Sequence, residues 1–294
     1  MTSQVDLSAL PAPRVIEELS FETILAEMKA DLIVRFPAIE PTLQLESSVA
    51  LKVMEACAYR ELLLRARIND AARSLLLARA TGTDLDHIAA NFGVVRLVVT
   101  PATASNPAVM EDDDRLRRRV LLAIEAYSVA GPADAYVYHA LTAVPSLRDA
   151  TAVSPEPGKV VVTIMASGAD PMPTAEALTT VAMALRSDDV RPLTDNVSVL
   201  APAVVEVQIS AGITVFPGPD GTIVVQQARA KLQAWLAENA LLGRDLRLSA
   251  IYSRLHVDGV HSVALQSPIA DVVVGPRQII RVTSVSVAAA GVDE

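Results

Sequence analysis

The sequence predicts an α+β protein: an N-terminal long-helix region, then a helical pair, then two small α/β sandwich units. Three observations carry that prediction. No Gly or Pro interrupts Ser47 to about Ala80, and apolar residues recur there in steps of four and three. Asp112–Val153 reads as helix, Gly-Pro turn, helix. From Lys159 onward, strand-like runs alternate with helical periodicity, the pattern of layered α/β units. The expected boundaries are 1–99 (helical bundle region), 100–155 (linker and helix pair), 156–202 (first α/β unit) and 203–294 (second α/β unit).

Residues 1–13, which end in Pro11 and Pro13, are expected to form an extended arm. A helix should follow from Arg14 to Phe36, with Phe21, Ile24, Leu25, Met28 and Leu32 as its apolar stripe and Pro37 as its stop. The second helix places Ala50, Met54, Cys57, Leu64, Ile68, Ala71, Leu75 and Ala78 on a heptad seam, broken once by Glu61. About thirty residues at 1.5 Å each make a rod of roughly 50 Å. Its seam can close on the first helix in an intramolecular hairpin, or on another subunit in a shared bundle, and the two are compatible. Gly82 is the expected C-cap, and Leu85, Ile88 and Ala89 form a short helix before Asn91–Val94. Thr100–Asp114 has the composition of a linker.

In the helix pair, Asp112–Asp114 sit where a helix N-terminus favours negative charge. Leu116, Val120, Ile124 and Tyr127 then form one apolar face, and Arg115, Arg117, Arg118 and Arg119 spread over the others. Gly131 ends this helix and Pro132 starts the next, whose stripe is Val137, Ala140, Leu141 and Val144. Beyond it, Lys159–Met165 reads as a buried strand. Thr174 caps a helix with Leu178, Val181, Ala182 and Leu185 inward. Arg191–Asp195 is a turn before a strand at Asn196–Leu200. Val204–Phe216 is a long strand, and Gly218–Gly221 turns into a helix over Thr222–Asn239 with Val225, Ala228, Leu232, Trp235 and Leu236 inward. Ser249 should cap a short helix to His256, before strands at Val260–Gln266 and Gln278–Val287. The strand–helix–strand pattern occurs twice, which admits a distant duplication.

Composition narrows the function. Hydrophobic residues make up 51% of the 294, aromatics only 3%, and the net charge is −9 with four lysines. Few rings are present to stack on bases or sugars, and phosphate binding needs clustered Lys and Arg, so nucleic acid is not the expected partner. No continuous apolar run of about 18 residues suggests a membrane span. The surplus of apolar residues suits subunit interfaces. The lone Cys57 excludes an internal disulfide and fits a reducing cytoplasm, and the N-terminus carries no secretory pattern.

Candidate chemistry is sparse. His256, Asp258 and His261 have a spacing that metal ligands use, but Asp258–Gly259 reads as a turn that splays them. His87 stands alone, and His139 lies on a helix beside Tyr136. Glu111–Asp114 is a carboxylate run without the Gly-containing loop of a calcium site. No phosphate-binding or nucleophile motif occurs. No catalytic, metal or cofactor residue is expected.

Five elements stand in order along the chain: the acidic-then-basic helix start through Arg115–Arg119, Ser128–Pro132, Ala135–Tyr136, Asp149–Ala150 and Arg191–Asp195. In these the chain resembles the baseplate J-like family of contractile phage tails, over about residues 80–290 and less closely over 1–80. The resemblance implies a non-enzymatic structural part of the baseplate wedge, with no cofactor. It marks Ser128, Gly131, Pro132, Tyr136, Arg191, Pro192, Leu193, Thr194 and Asp195 as residues that hold the fold. It implies association with copies of itself, with a smaller wedge protein and with a sheath-initiator-like protein, in a ring around the tail hub that rearranges on sheath contraction. Assembly would occur in the bacterial cytoplasm, for a phage, prophage or tail-derived bacteriocin particle. The seam residues Ala50, Met54, Cys57, Leu64, Ile68, Ala71 and Leu75 are then the expected intersubunit interface. One alternative is a tail-carried cell-wall hydrolase, which would need paired carboxylates or metal ligands in a cleft. Another is a regulator binding DNA through the Asp112–Val144 helix pair, with sharply salt-dependent affinity.

Overall fold

A computed structural model describes residues 7–11, 13–128, 131–168, 170–187, 189–218 and 220–293. The expected arm lies mostly outside these residues; Leu7–Ala9 is a single 3-10 turn. The chain forms two compact units, one of residues up to 96 with 112–121, the other of 97–111 with 122 onward.

The first unit is helical. Helix α1 spans Phe21–Arg35, and Ser20 caps it by accepting the Thr23 N–H at 3.3 Å. It begins seven residues later than the expected Arg14, because the Ser20 hydroxyl supplies an N-cap and no Ser, Thr, Asp or Asn stands between Arg14 and Leu19. Phe36 and Pro37 end it, as read from the sequence. After the single turn α2 (Glu40–Leu43), α3 runs over Val49–Ser74 with Ser48 as its cap. Its 26 residues give about 39 Å at 1.5 Å each, short of the rod expected to Ala80. No Gly or Pro breaks the helix at Ser74. The following turn is held by a remote side chain instead: Arg117 Nε donates to the Leu77 carbonyl at 2.7 Å and Nη2 to the Ala80 carbonyl at 2.9 Å.

Gly82 is not a C-cap. It opens α4 (Gly82–Ala90) at φ +55°, and its N–H donates to Asp113 Oδ2 at 3.1 Å. Arg96 bridges Asp86 and Asp113, each at 2.7 Å. Burial pushes the Asp113 carboxyl up, but the Gly82 N–H and Arg96 outweigh it and hold it below its ordinary value.

Helix α1 packs antiparallel on α3 around Ile24, Leu25 and Ala58, with Phe21, Met28, Met54 and Leu62 half-buried against them. Buried Asn69 extends the hairpin: its Oδ1 accepts the Glu17 N–H at 3.0 Å and its Nδ2 donates to the Glu17 carbonyl at 2.9 Å.

In the second unit the linker is shaped by a minimal ribbon, β1 (Val98–Thr100) against β2 (Val109–Met110). Helix α5 (Asp113–Ala126) begins in the first unit and ends in the second. Helix α6 covers Ala133–Ala143. Strands β3 (Leu147–Glu156), β4 (Lys159–Ala166) and β5 (Asn196–Leu200) form one sheet in that order. β3 and β4 are an antiparallel hairpin, and α7 (Ala175–Leu185) carries the chain across to β5, parallel to β4. α6 and α7 cover one face, burying Tyr136, Leu141, Val162, Ile164, Val181 and Leu185.

The second sheet has the order β7-β6-β8, with β6 at Ala203–Val215, β7 at Val260–Ser267 and β8 at Gln278–Val292. Helices α8 (Gly221–Asn239) and α9 (Leu248–Leu255) pack on it around Ile209, Ile213, Ala228, Leu232 and Ile251. α9 has no side-chain cap; the expected role of Ser249 is taken by Asp271, whose Oδ1 accepts the Leu248 N–H at 2.8 Å. β8 runs five residues beyond the expected Val287, because thirteen parallel register pairs with β6 carry it on. The two sheets are not simple copies. The strand reached from the centre through a helix is parallel in the first (β5) and antiparallel in the second (β7).

Candidate functional site

The turn at Arg191–Asp195 and the Gly131–Pro132 turn meet before α6. Gly131 has φ +70°, and a Cβ there would lie 2.8 Å from Pro192 Cγ and 3.1 Å from Asp195 Oδ2. A glycine is required on both counts: left-handed backbone and no room. One turn into α6, the buried Tyr136 donates its hydroxyl to Asp195 Oδ2 at 2.7 Å. Burial, and then the carboxylate it faces, push the Tyr136 phenol well above its ordinary value. Arg191 closes the turn on itself, donating to the Arg186 carbonyl at 3.1 Å and the Asp195 carbonyl at 3.2 Å. The Asn196 N–H then bonds the Gly158 carbonyl at 2.7 Å, setting β5 beside β4. Leu193 projects from the turn, 91% exposed. Ser128 is exposed two residues past α5, while Val129 and Ala130 of the motif lie outside the described residues.

The arginine run proves structural. Arg117 serves the Leu77 and Ala80 carbonyls, and Arg119 is 2% exposed and donates to the Val95 carbonyl at 3.1 Å. The apolar face of α5 also differs from expectation. Leu116, Val120 and Ala123 are buried, whereas Ile124 and Tyr127 are 59% and 73% exposed. Steps of four advance about 40° each around a helix, so Leu116–Val120–Ile124 spirals off the face that 116, 120 and 123 keep.

The α3 seam lies largely open. Ala50 and Met54 are half-buried, but Cys57, Leu64, Ile68, Ala71 and Leu75 are exposed, Leu64 at 66% and Leu75 at 79%. Cys57 therefore does not pack as a small core residue. α3 carries two apolar stripes set one residue apart, about 100° around the helix. The stripe through Met54, Ala58 and Leu62 meets α1; the heptad count shares Met54 with it and otherwise follows the other face.

The remaining candidates form no constellation. Gly259 at φ +90° turns the chain between His256 and His261, and His261 stacks edge-on against Phe216 with centroids 5.1 Å apart. His139 is half-buried against Tyr138, and burial lowers its pKa. Among the described residues no group of three or more His, Cys, Asp or Glu could hold a metal ion, and no helix is long and apolar enough to cross a membrane. One residue's role was missed: Asp149, known only as the start of a strand, is 3% exposed and accepts the Leu242 N–H at 2.9 Å, ninety-three positions away.

Comparison with known proteins matches three consecutive family models. The Baseplate J-like N-terminal domain covers residues 46–103, the Baseplate J-like central domain 128–201, and the Baseplate J-like protein C-terminal domain 207–288. Baseplate protein J of Escherichia phage P2 is 44% identical over 299 residues, covering 99% of each chain. Among solved structures, a chain of the anti-feeding prophage (AFP) baseplate, a 6-fold symmetrised cryo-EM structure, aligns with TM-score 0.44 and 14% identity. It covers 63% of this chain and 47% of that one, a likeness too weak to carry argument. The identity along the whole of both chains, with the three domains in order, establishes that this protein belongs to the baseplate J-like family.

Proposed function

We propose that the chain is a non-enzymatic structural subunit of the baseplate wedge of a contractile tail. The observation that supports this most is its identity to a baseplate protein J from end to end. In this reading it associates with copies of itself, with a smaller wedge protein and with a sheath-initiator-like protein, forming a ring around the tail hub that rearranges when the sheath contracts. It is assembled in the bacterial cytoplasm and needs no cofactor. Residues 1–99 supply the intersubunit bundle, through Ala50, Met54, Cys57, Leu64, Ile68, Ala71 and Leu75. Residues 100–155 connect it to the α/β units at 156–202 and 203–294, which meet neighbouring wedges. The exposed stripe on α3 suits that assignment, since a family built to assemble needs apolar surface that its own fold leaves uncovered.

The test is co-expression with the neighbouring tail proteins, followed by mass determination by light scattering. A defined hetero-complex that is lost when Leu64 and Ile68 are both changed to Glu supports the wedge and its bundle. A monodisperse monomer that ignores every tail partner would sink both.

A further inference from the structure

We infer that the outer edge of β8, with the cavity at its start, receives an extended acidic segment from a different baseplate subunit as an added strand. The inference rests on the proposed baseplate role and adds to it a site and the chemistry of its occupant.

β8 pairs with β6 along one edge only, and among the described residues no strand pairs with the other. From Val282 to Val292 it carries no charge and no Pro. Folded proteins ordinarily protect an edge of that length with such residues. The register fixes which groups face out. The Ala203 N–H bonds the Arg277 carbonyl, and the Asp293 N–H bonds the Val215 carbonyl at 3.1 Å. Between the two register shifts, Gln208 pairs with Ser284 and Ile213 with Ala289. Alternation along a parallel ladder then turns the N–H and C=O of Val285, Val287 and Ala289 away from β6.

At the start of the same edge is a cavity of about 220 Å³. Ile279, Ile280, Arg281 and Val282 all line it. Alternate strand residues point to opposite faces, so four in a row place the cavity alongside the strand, in line with the open edge. It is smaller than the roughly 300–1,000 Å³ usual for small-molecule ligands, and suits one or two large side chains. Part of its wall is apolar, with Met165, Trp235, Leu246 and Ile279.

Charge identifies the occupant. Arg148, Arg244 and Arg281 line the cavity against one carboxylate, Asp245, in a chain whose net charge is −9. Asp245 is engaged by Arg247 at 2.6 Å and by the Val274 N–H at 2.9 Å, and Glu206 takes Arg281. Among the described residues Arg148 donates only to neutral carbonyls, those of Ala237 and Glu238, and Arg244 is exposed. A strand with a bulky apolar residue flanked by Asp or Glu satisfies all three features. Its backbone completes the edge, its apolar side chain enters the cavity, and its carboxylates meet Arg244 and Arg148. Strand addition draws affinity from main-chain bonds and specificity from such a pocket.

Residue-resolved hydrogen exchange on the chain, alone and in the purified complex with its co-expressed tail proteins, tests this. In the isolated chain the amides of Val285, Val287 and Ala289 should exchange at least a hundredfold faster than those of Ser286 and Ala288, and slow at least tenfold on assembly. Ala289→Pro removes one outward N–H, and Arg244→Glu reverses the exposed charge; each should cut recovery of the complex at least tenfold with the isolated chain's melting unchanged. A complex of defined mass in which the outward amides do not slow overturns the inference and leaves the baseplate role standing. Slowing in the isolated chain that grows with its concentration identifies a second copy as the occupant and also overturns it. No complex with any tail protein overturns both.

Discussion

Gly131 and Tyr136 act on the same turn from two sides, and each is replaceable by one change whose cost follows from its contact. Tyr136→Phe keeps the buried ring and deletes the hydroxyl that bonds Asp195 at 2.7 Å. A hydrogen bond to a charged acceptor contributes about 1.5–3 kcal/mol, so urea unfolding at neutral pH should show a loss of that size. The pH dependence follows from the raised phenol pKa. A group whose folded value lies above its unfolded one stabilises fully below the unfolded value, about 10 for tyrosine, and loses that contribution as pH rises through the folded value. The gap between wild type and variant should therefore be constant up to about pH 10 and narrow above it; a gap that opens with rising pH contradicts the bond. Gly131→Ala adds left-handed strain of about 1–2 kcal/mol, and its Cβ would press to 2.8 Å on Pro192 Cγ. Thermal unfolding should register at least that strain, and an unchanged melting temperature would mean the turn is not held against Arg191–Asp195.

At the scale of elements, α3 separates what its own chain needs from what it exposes. Ile24→Ala empties the hairpin core between α1 and α3, where Ile24 is 3% exposed, and should cost about 2–5 kcal/mol. Leu64→Glu, on the open stripe, should change the isolated chain by no more than about 0.5 kcal/mol. Helical circular dichroism against urea measures both, and a large loss from Leu64→Glu would show that the stripe is covered in the monomer. The same helix shows how far the sequence can be read. Its existence was legible because no breaker interrupts it, and its heptad spacing was real. Which of two stripes turns inward was not legible, because Ala58 and Asn69 gain their partners from Ile24 and Glu17, more than thirty positions away. Its end was hidden for the same reason, since Arg117 stabilises the turn after Ser74 from far along the chain. The Arg191–Asp195 turn was legible from its residues, whereas its bond to Tyr136 across fifty-nine positions was not.

At the scale of the molecule, the second unit joins two α/β layers through a few long-range polar contacts around a shared apolar wall. Met165 of β4, Ile279 of β8 and Leu242 of the α8–α9 connection form that wall. Thr151 donates to the Pro276 carbonyl at 2.7 Å, and Asp149 accepts the Leu242 N–H at 2.9 Å with one oxygen and its neighbour's N–H at 2.8 Å with the other. Both atoms of the Asp149–Leu242 bond are buried, so deleting the carboxylate leaves an N–H without water or partner, at about 1–3 kcal/mol. Asp149→Ala should therefore destabilise by that amount, and it should do more. The two sheet cores, around Ile164 and around Ile213, are separate clusters. Their unfolding is coupled only as strongly as the contacts between them. In wild type those contacts should make the unit melt as one transition; in the variant, scanning calorimetry should resolve two, with a van't Hoff enthalpy below the calorimetric one. Asp149→Asn is no rescue, because one oxygen becomes an NH₂ facing a backbone donor. A single sharp transition in Asp149→Ala, merely lowered in temperature, would show that the apolar wall and the Thr151–Pro276 bond suffice to make the two sheets one cooperative body without Asp149.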